Sequence, residues 1–457
     1  MPRNLIICLD GTNNRIGDHQ TNIIRFFRGL SHTDTQIPYY AQGIGTVRSQ
    51  DVREKEPISE RVRGMAFGAG LESIVLDAYR FLCSTYDFSA RRDEQKRDRL
   101  YFFGFSRGAY AARMLAGFIN EFGLLEPNSL HIAVQVFREY LALVDVEDDV
   151  PARERYLALR RYSGVFHPKA APIEGLVLFD TVASIIRWGN VGRNWREYRS
   201  PIQLARHPST SKNPTVRFVL HALAVDEKRT FFRPLLWQER ENQAELDDPV
   251  KAWNDGKGSD VQLYFGNRFR RSTPEKQIVR QVWFPGVHGD IGGSAREDEA
   301  GLGKITACWV YDQLQELAPT LQYRKGFYDR YLTGSSDSVT HSEDGRRISK
   351  PDFDARIHPS LKGKWAFAEL IPKSKKRREP PEDITGWWPY YQPNGERRYI
   401  KPGALVHRSV FDRKELGSRT YNPPALKDAN RKDYSPNDHP ALHNPSYPAP
   451  AEGSGGS

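Results

Sequence analysis

The chain has 457 residues, of which 39% are hydrophobic and 27% are charged, a composition typical of a soluble globular protein. No apolar run approaches the roughly 18 to 20 residues of a transmembrane helix, and Met1 to Asn4 lead into an apolar run too short for a signal peptide. The net charge of +10 favours polyanions or an anionic membrane surface as partners. A specific nucleic-acid interaction is disfavoured, because no helix-turn-helix, RNA-binding sheet motif or zinc pattern occurs.

The three cysteines are Cys8, Cys83 and Cys308, and they lie far apart inside apolar segments. Cysteines in such surroundings are typically buried thiols rather than disulfides or zinc ligands. We therefore expect synthesis in the reducing cytoplasm, without a signal peptide or a transmembrane segment.

Apolar runs alternate with helical patterns through the first two thirds of the chain, which is typical of an α/β protein with a mostly parallel sheet. The predicted strands are residues 5–9, 39–42, 100–105, 175–179 and 279–284, and the predicted helices are residues 71–86, a segment that starts at 107 and residues 301–319. Residues 216–226 fit a strand or a helix on periodicity alone. We favour a helix there, because Val219, Leu223 and Asp226 would share one face.

A serine lies on the turn between the strand at 100–105 and the helix that follows. Gly104-Phe105-Ser106-Arg107-Gly108 matches G-x-S-x-G, the nucleophile elbow that exposes a hydroxyl at the top of a sheet. The two glycines remove the Cβ atoms that would collide with the crossing backbone. The alternative is an ordinary strand-to-helix turn made of small residues. The flanking strand and helix favour a catalytic serine.

A serine nucleophile needs a base that is held in place by an acid. Asp180 directly follows the predicted strand 175–179, and His288 follows strand 279–284 in a glycine-flanked loop. The order Ser106, Asp180, His288 is that of α/β hydrolases. Alternatively, Asp180 caps the next turn, as many aspartates at strand ends do.

Other residues compete for the roles of base and acid. The histidines His221, His358 and His407 are alternatives to His288, and His407 is the reserve base. Asp290 and Asp226 are the reserve acids.

A second glycine-containing loop, Asp10-Gly11-Thr12-Asn13-Asn14, follows the first strand. Such a loop supplies one oxyanion N–H in this class of fold, here from Gly11 or Thr12, and the residue after the nucleophile, Arg107, supplies the other. A simple Asp-Gly turn with a helix cap explains the pattern equally well.

Asp10 has a further interpretation, because it could join Asp180, His288 and Asp290 as ligands of a divalent metal ion. No ligand spacing in the sequence favours such a site. We therefore predict neither a metal nor a cofactor.

Five segments resemble the α/β-hydrolase catalytic domain of type VI secretion phospholipase effectors. They are ICLDGTNN, GFSRGAYAARMLAG, LFDTVAS, HALAVDEKRTFFRPLLW and WFPGVHGDIGGS, and they cover about residues 4–320 in the expected order. The resemblance implies a serine esterase that acts on lipid acyl esters with Ser106, Asp180 and His288 as its triad. If the chain is an effector, the resemblance also implies type VI delivery and a secretion-apparatus or immunity protein as partner.

Two other functions remain open at this point. The same triad would serve an intracellular esterase acting on a small soluble ester. The positive charge would equally suit a non-enzymatic protein that binds a polyanion or a lipid surface.

Beyond about residue 320 the chain becomes rich in Gly, Pro, Lys, Arg, Trp and Tyr and loses long periodicity. We predict a hydrolase domain at 1–320, an irregular appendage or lid at 321–418 and a flexible Pro/Asn/Ser-rich tail at 419–457. The last residues, 453–457, resemble a linker and are left out of the fold prediction.

The predicted appendage contains a basic run, Lys373 to Arg378, followed by the aromatic cluster Trp387 to Tyr391. Amphipathic rings beside cations suit a membrane interface. The other interpretation is that these aromatics pack the appendage onto the core.

Overall fold

The computed structural model describes residues 2–11, 20–43, 69–89, 96–143, 157–182, 186–188, 202–204, 210–213, 215–238, 277–334, 345, 347–363, 369–370, 373–374 and 390–426. The α-helices of these segments are Asn22–Gly29 (α1), Ala69–Thr85 (α2), Arg107–Phe122 (α3), Ala133–Ala142 (α4), Leu157–Phe166 (α5), His288–Ile291 (α6), Gly301–Leu317 (α7) and Arg408–Leu416 (α8). The strands are Asn4–Leu9 (β1), Gln36–Ala41 (β2), Arg99–Phe105 (β3), Ile173–Phe179 (β4), Ile186–Trp188 (β5), Ile202–Leu204 (β6), Val216–Ala224 (β7), Ile278–Phe284 (β8), Lys373–Ser374 (β9), Tyr390–Tyr391 (β10) and Leu405–Val406 (β11).

Seven of these strands form one sheet in the order β2-β1-β3-β4-β7-β8-β11, and every pairing in it is parallel. Helices cover both faces: Tyr79 of α2 and Phe118 of α3 lie in the core on one side, and Phe26 of α1 and Trp309 of α7 lie in the core on the other. A parallel sheet covered on both faces has strands that are buried along their length, as all six residues of β1 are. The predicted α/β class is confirmed.

The helix expected over residues 216–226 is wrong. Val216–Ala224 is β7, a central strand between β4 and β8. Because eight of its nine side chains are buried, the strand shows no alternation of apolar and polar residues. A short buried strand of this kind cannot be told from a buried helix by periodicity.

The cysteine prediction is confirmed, since Cys8, Cys83 and Cys308 are buried free thiols. Among the segments that the structure describes, no helix has both the length and the apolar character needed to cross a membrane.

The carboxyl ends of the central strands are aligned by backbone hydrogen bonds. The N–H of Ser106 donates to the carbonyl of Phe179 at 3.0 Å, and the N–H of Asp180 donates to the carbonyl of Ala222 at 2.8 Å. β8 continues the alignment by pairing with β7 in parallel. Residues that immediately follow β3, β4 and β8 therefore meet at one edge of the sheet, where open α/β sheets bind their ligands.

The chain beyond residue 320 contributes to the main sheet. Leu405–Val406 pairs with β8 as the edge strand β11, and the N–H of His407 donates to the carbonyl of Trp283 at 2.8 Å. The division into a domain at 1–320, an appendage and a tail stays a prediction. Residues 375–378 of the basic run and both tryptophans, Trp387 and Trp388, lie outside the described residues.

Candidate active site

Ser106 occupies a sharp turn between β3 and α3. Its backbone has φ 58° and ψ −121°, a left-handed conformation that a non-glycine residue adopts only when its surroundings impose it. A Cβ at Gly104 would lie 2.5 Å from the Cα of Ala109, and a Cβ at Gly108 would lie 2.2 Å from the carbonyl oxygen of Leu9. Both glycines are therefore required by close approach of the backbone.

Ser106, His288 and Asp180 are joined by two hydrogen bonds. The Ser106 Oγ lies 2.8 Å from His288 Nε2, and His288 Nδ1 lies 2.6 Å from Asp180 Oδ2. All three residues are buried. The carboxylate accepts from Nδ1–H, which leaves the Nε2 lone pair to accept the serine hydroxyl proton. The structure thus brings together three of the residues singled out in the sequence.

Asp180 has a second side-chain partner, the guanidinium of Arg398. The guanidinium Nη1 lies 2.6 Å from Oδ1 and Nη2 lies 2.8 Å from Oδ2, while the N–H of Ala224 donates to Oδ1 at 3.0 Å. Burial alone would raise the pKa of the Asp180 carboxyl, but Arg398 and the His288 hydrogen bond hold that pKa well below its usual range. Asp180 is therefore ionised throughout the physiological pH range.

The imidazole of His288 contacts two aromatic rings. Its centroid is 4.9 Å from that of Phe105 and 4.8 Å from that of Phe232. The backbone N–H of His288 donates to Glu227 Oε2 at 3.2 Å. Burial opposes ionisation of Glu227, but Arg229 lowers the pKa of this carboxyl to about 2. The ring thus contacts two aromatic side chains, and its backbone N–H is bonded to a charged carboxylate.

The alternative histidines lie in other networks. His407 is buried, stacks on Phe284 with centroids 4.6 Å apart, and accepts the Ser409 N–H at Nδ1. His221 lies within β7, where its Nε2 accepts the N–H of Thr181 at 3.2 Å. Burial lowers the pKa of each of these histidines to about 3. Both imidazoles are thus neutral. His407 Nδ1 and His221 Nε2 each accept a backbone N–H of a nearby residue.

The two reserve acids, Asp290 and Asp226, accept backbone N–H groups of the loop between β8 and α7. Asp290 accepts the N–H of Val287 at 3.0 Å and lies 2.6 Å from the Nδ1 of His358. Asp226 accepts the N–H of Gly286 at 2.7 Å and the hydroxyl of Tyr421 at 2.9 Å. Burial raises the pKa of Asp226 to about 6.

Two of the three oxyanion candidates, Arg107 and Gly11, lie in the described part of the chain. Arg107 is the first residue of α3, so its N–H lies at the amino-terminal end of that helix. The N–H of Gly11 donates to Asp10 Oδ1 at 2.6 Å, and the other Asp10 oxygen accepts the hydroxyls of Thr21 and Tyr40. Thr12 lies outside the described residues. The assignment of the oxyanion donors stays a prediction.

Comparison with known proteins shows the family of the chain. A family profile described as "T6SS, Phospholipase effector Tle1-like, catalytic domain" matches residues 3–313. The chain belongs to this family. Its members are phospholipase effectors by description, which agrees with a site built around a serine at the carboxyl edge of a parallel sheet.

Individual relatives are more distant. "Uncharacterized protein YEL023C" of Saccharomyces cerevisiae is 29% identical over 250 residues, which cover 51% of this chain and 32% of the yeast protein. The chain thus spans about a third of the length of this curated relative.

Two solved structures are also similar. An uncharacterized protein from Pseudomonas aeruginosa is 18% identical with a TM-score of 0.34, and the match covers 70% of this chain and 47% of that one. A structure of the Tle1 effector bound to the VgrG spike of the type VI secretion system is 19% identical with a TM-score of 0.26, covering 66% of this chain and 52% of that one.

The sequence analysis assigned no role to Arg398 or Glu227. It also did not predict the contact between His358 and Asp290. Arg398 lies in the segment ERRYI, which has no motif character, and it lies beyond the residues that the family profile matches. Its partner Asp180 is 218 positions away in the chain. Covariation between the two positions in an alignment is the signal that would reveal such a pair.

No group of three or more His, Cys, Asp or Glu side chains among the described residues is arranged to hold a metal ion. Asp10 and Asp290, which the sequence grouped with Asp180 and His288, belong to separate hydrogen-bond networks.

Proposed function

We propose that the chain is a serine hydrolase that cleaves acyl ester bonds of phospholipids. The observation that supports it most directly is the continuous hydrogen-bonded series Asp180–His288–Ser106 at the carboxyl edge of the sheet. Membership in a phospholipase family supports the choice of a lipid ester over other acyl substrates.

In the proposed reaction, Ser106 Oγ attacks the ester carbonyl carbon while its proton passes to His288 Nε2. The carbonyl oxygen becomes an oxyanion, and Asp180 stabilises the imidazolium. Collapse of the tetrahedral intermediate breaks the bond to the alcohol, which leaves with the proton from Nε2. Water, activated by the same nitrogen, then releases the fatty acid and restores the serine.

The oxyanion requires donors that are in place before the reaction. The N–H of Arg107 supplies the first, supported by the positive end of the α3 dipole. We assign the second to the loop after β1, at Gly11 or Thr12. A donor at Gly11 would have to exchange its present bond to Asp10 for one to the substrate.

A fluorophosphonate probe tests the mechanism, because it reacts covalently with activated serines. We expect labelling of the wild type and none of Ser106→Ala. Ser129→Ala is a matched control, since Ser129 lies in the 3₁₀ helix Pro127–Ile132, beyond the carboxyl end of α3. Equal labelling of wild type and Ser106→Ala would refute the proposal.

The substrate class is tested with phosphatidylcholine–phosphatidylglycerol vesicles and with short-chain nitrophenyl esters. Faster turnover of vesicle lipid supports the phospholipase, whereas turnover of the soluble ester alone supports the small-ester esterase. Salt-sensitive vesicle binding that survives Ser106→Ala, with no hydrolysis by either protein, supports the non-enzymatic alternative.

The family description also supports an effector role with delivery by type VI secretion. We infer from it that export of the chain into the bacterial periplasm arrests growth through lipid hydrolysis. Growth arrest by the wild type and not by Ser106→Ala is the expected result. Equal growth with both proteins, at equal periplasmic levels, would contradict the role.

A further inference from the structure

We propose that Arg398 is a positioning residue of the Ser106–His288–Asp180 site, which fixes the Asp180 carboxylate in the orientation that holds the imidazole of His288. The inference rests on the proposed serine hydrolase function. It assigns a part in the reaction to a residue that lies outside the segment matched by the family profile.

The first support is the geometry of the ion pair. The two terminal nitrogens of Arg398 contact the two oxygens of Asp180, at 2.6 Å and 2.8 Å. The same nitrogens donate to the carbonyls of Ala224 and Phe232, which lie on β7 and on the turn after it. The Arg398 side chain is 3% exposed, so this pair is not a solvent-screened surface contact.

The second support is how fully the carboxylate is occupied. Oδ1 accepts from Arg398 and from the N–H of Ala224, while Oδ2 accepts from Arg398 and from His288 Nδ1. A carboxylate with two partners on each oxygen cannot rotate without losing several bonds. Only the planar fork of arginine meets both oxygens at once, whereas a lysine would contact one of them.

The third support is electrostatic. When His288 accepts the serine proton, Asp180 becomes the shared anion of two cations, the imidazolium and the guanidinium of Arg398. A carboxylate that the guanidinium already holds in place needs no reorientation at that step.

Other charged groups near the Arg398–Asp180 pair have partners of their own. Glu227 accepts the His288 backbone N–H, but it is itself paired with Arg229 at 2.8 Å. His221, on β7 next to Asp180, is neutral, because burial and the Arg113 charge lower its pKa to about 3.

Asp290 and His358 form a separate pair. Asp290, on the short helix of His288, is bonded to His358 Nδ1 at 2.6 Å. Arg398 is thus the cation bonded directly to the carboxylate that His288 uses.

The test compares kcat and KM of Arg398→Gln, Arg398→Lys and wild type on a soluble short-chain ester. Arg398→Gln should lower kcat about a hundredfold and leave KM unchanged, because Asp180 loses both fixed contacts while the substrate loses none. Arg398→Lys should restore part of this loss. Its kcat should fall only about tenfold, because Asp180 loses one of its two fixed contacts.

Arg397→Gln is the matched control, because Arg397 donates to the carbonyl of Pro424 rather than to the site. It removes the same charge one position away and should leave both kcat and KM unchanged. A wild-type kcat in Arg398→Gln would overturn the proposal. Wild-type kcat in Arg398→Lys would do the same, and this variant decides the matter if Arg398→Gln does not fold.

A second readout separates this proposal from the proposed function. The NMR resonance of the His288 Nδ1–H proton, which is bonded to Asp180, should shift in Arg398→Gln and stay in place in Arg397→Gln. The shift requires no catalysis, so it reports on Arg398 even if fluorophosphonate fails to label Ser106. An unmoved resonance in a folded Arg398→Gln protein would refute the positioning role, whichever way the labelling comes out.

Discussion

The Nδ1 of His358 lies 2.6 Å from Oδ1 of Asp290, and this contact ties the chain beyond residue 320 to the loop that carries His288. The backbone N–H of His358 donates to the other Asp290 oxygen at 3.3 Å. Asp290 in turn accepts the N–H of Val287, the residue before His288. The position of the loop that carries His288 therefore depends on a contact whose strength changes with the protonation of His358.

The pH dependence of this contact can be predicted. The hydrogen bond to Asp290 raises the pKa of His358, with burial acting in the opposite direction. A raised folded-state pKa gives stability that is fully present below the ordinary value of 6.5 and is lost as pH rises through the raised value. We expect His358→Gln to lower the free energy of unfolding more at about pH 6 than at about pH 9.

Urea unfolding at the two pH values measures this difference. His131→Gln is a suitable control, because His131 is exposed and contacts the ring of Phe166. Equal destabilisation by His358→Gln at both pH values would show that the contribution of the pair does not depend on the histidine charge.

Replacement of Asp180 by Asn should affect both activity and stability. Loss of the carboxylate allows the wrong imidazole tautomer, and we expect kcat/KM to fall about ten-thousand-fold. It also leaves the buried Arg398 without its counter-charge, which should lower the free energy of unfolding by about 3 to 5 kcal/mol. Ester turnover and urea unfolding measure the two effects.

The double variant Asp180→Asn/Arg398→Gln completes a mutant cycle. Because the second change removes the unpaired charge, the double variant should be more stable than the sum of the single effects predicts, and it should remain inactive. Strict additivity of the unfolding free energies would argue that the two side chains are not coupled.

Gly108→Ala should damage the turn at Ser106. The added Cβ would lie 2.2 Å from the carbonyl oxygen of Leu9 and 2.5 Å from that of Asp10, so α3 must move away from β1. We expect a loss of about 1 to 3 kcal/mol in the free energy of unfolding, together with weaker fluorophosphonate labelling.

Gly164→Ala is the matched control for that substitution. Gly164 lies in α5, and a Cβ there would meet nothing within 4 Å. Since alanine favours a helix more than glycine does, this variant should gain about 0.5 to 1 kcal/mol and label normally. A Gly108→Ala protein as stable and as reactive as the wild type would contradict the close approach of α3 to β1.

The paired substitution Trp387→Ala/Trp388→Ala tests the proposed membrane-facing lid. If these rings lie at headgroup depth, the variant should bind anionic vesicles more weakly and hydrolyse their lipid more slowly, while turnover of a soluble short-chain ester is unchanged. A parallel loss of both activities would indicate that the aromatics only pack the appendage onto the core.

The amino-acid sequence by itself determined the fold class and the positions of most core strands. β1, β3, β4 and β8 are short apolar runs, and each ends at a polar or glycine-containing turn. Signals of this kind are local: a run of apolar side chains, a pair of glycines and a change of period are contained within about ten residues. The strand-to-turn placement of Ser106, Asp180 and His288 could be predicted for the same reason.

Only the tertiary structure decided which of several similar residues meet. β7 was mistaken for a helix, because burial on both faces erases the alternation that marks a strand. His407 also follows a strand, yet it packs against Phe284, whereas His288 meets Ser106. Arg398 contacts Asp180 across 218 positions of chain. No local pattern encodes such a pairing, because it depends on where two distant segments lie once the sheet and its covering helices have formed.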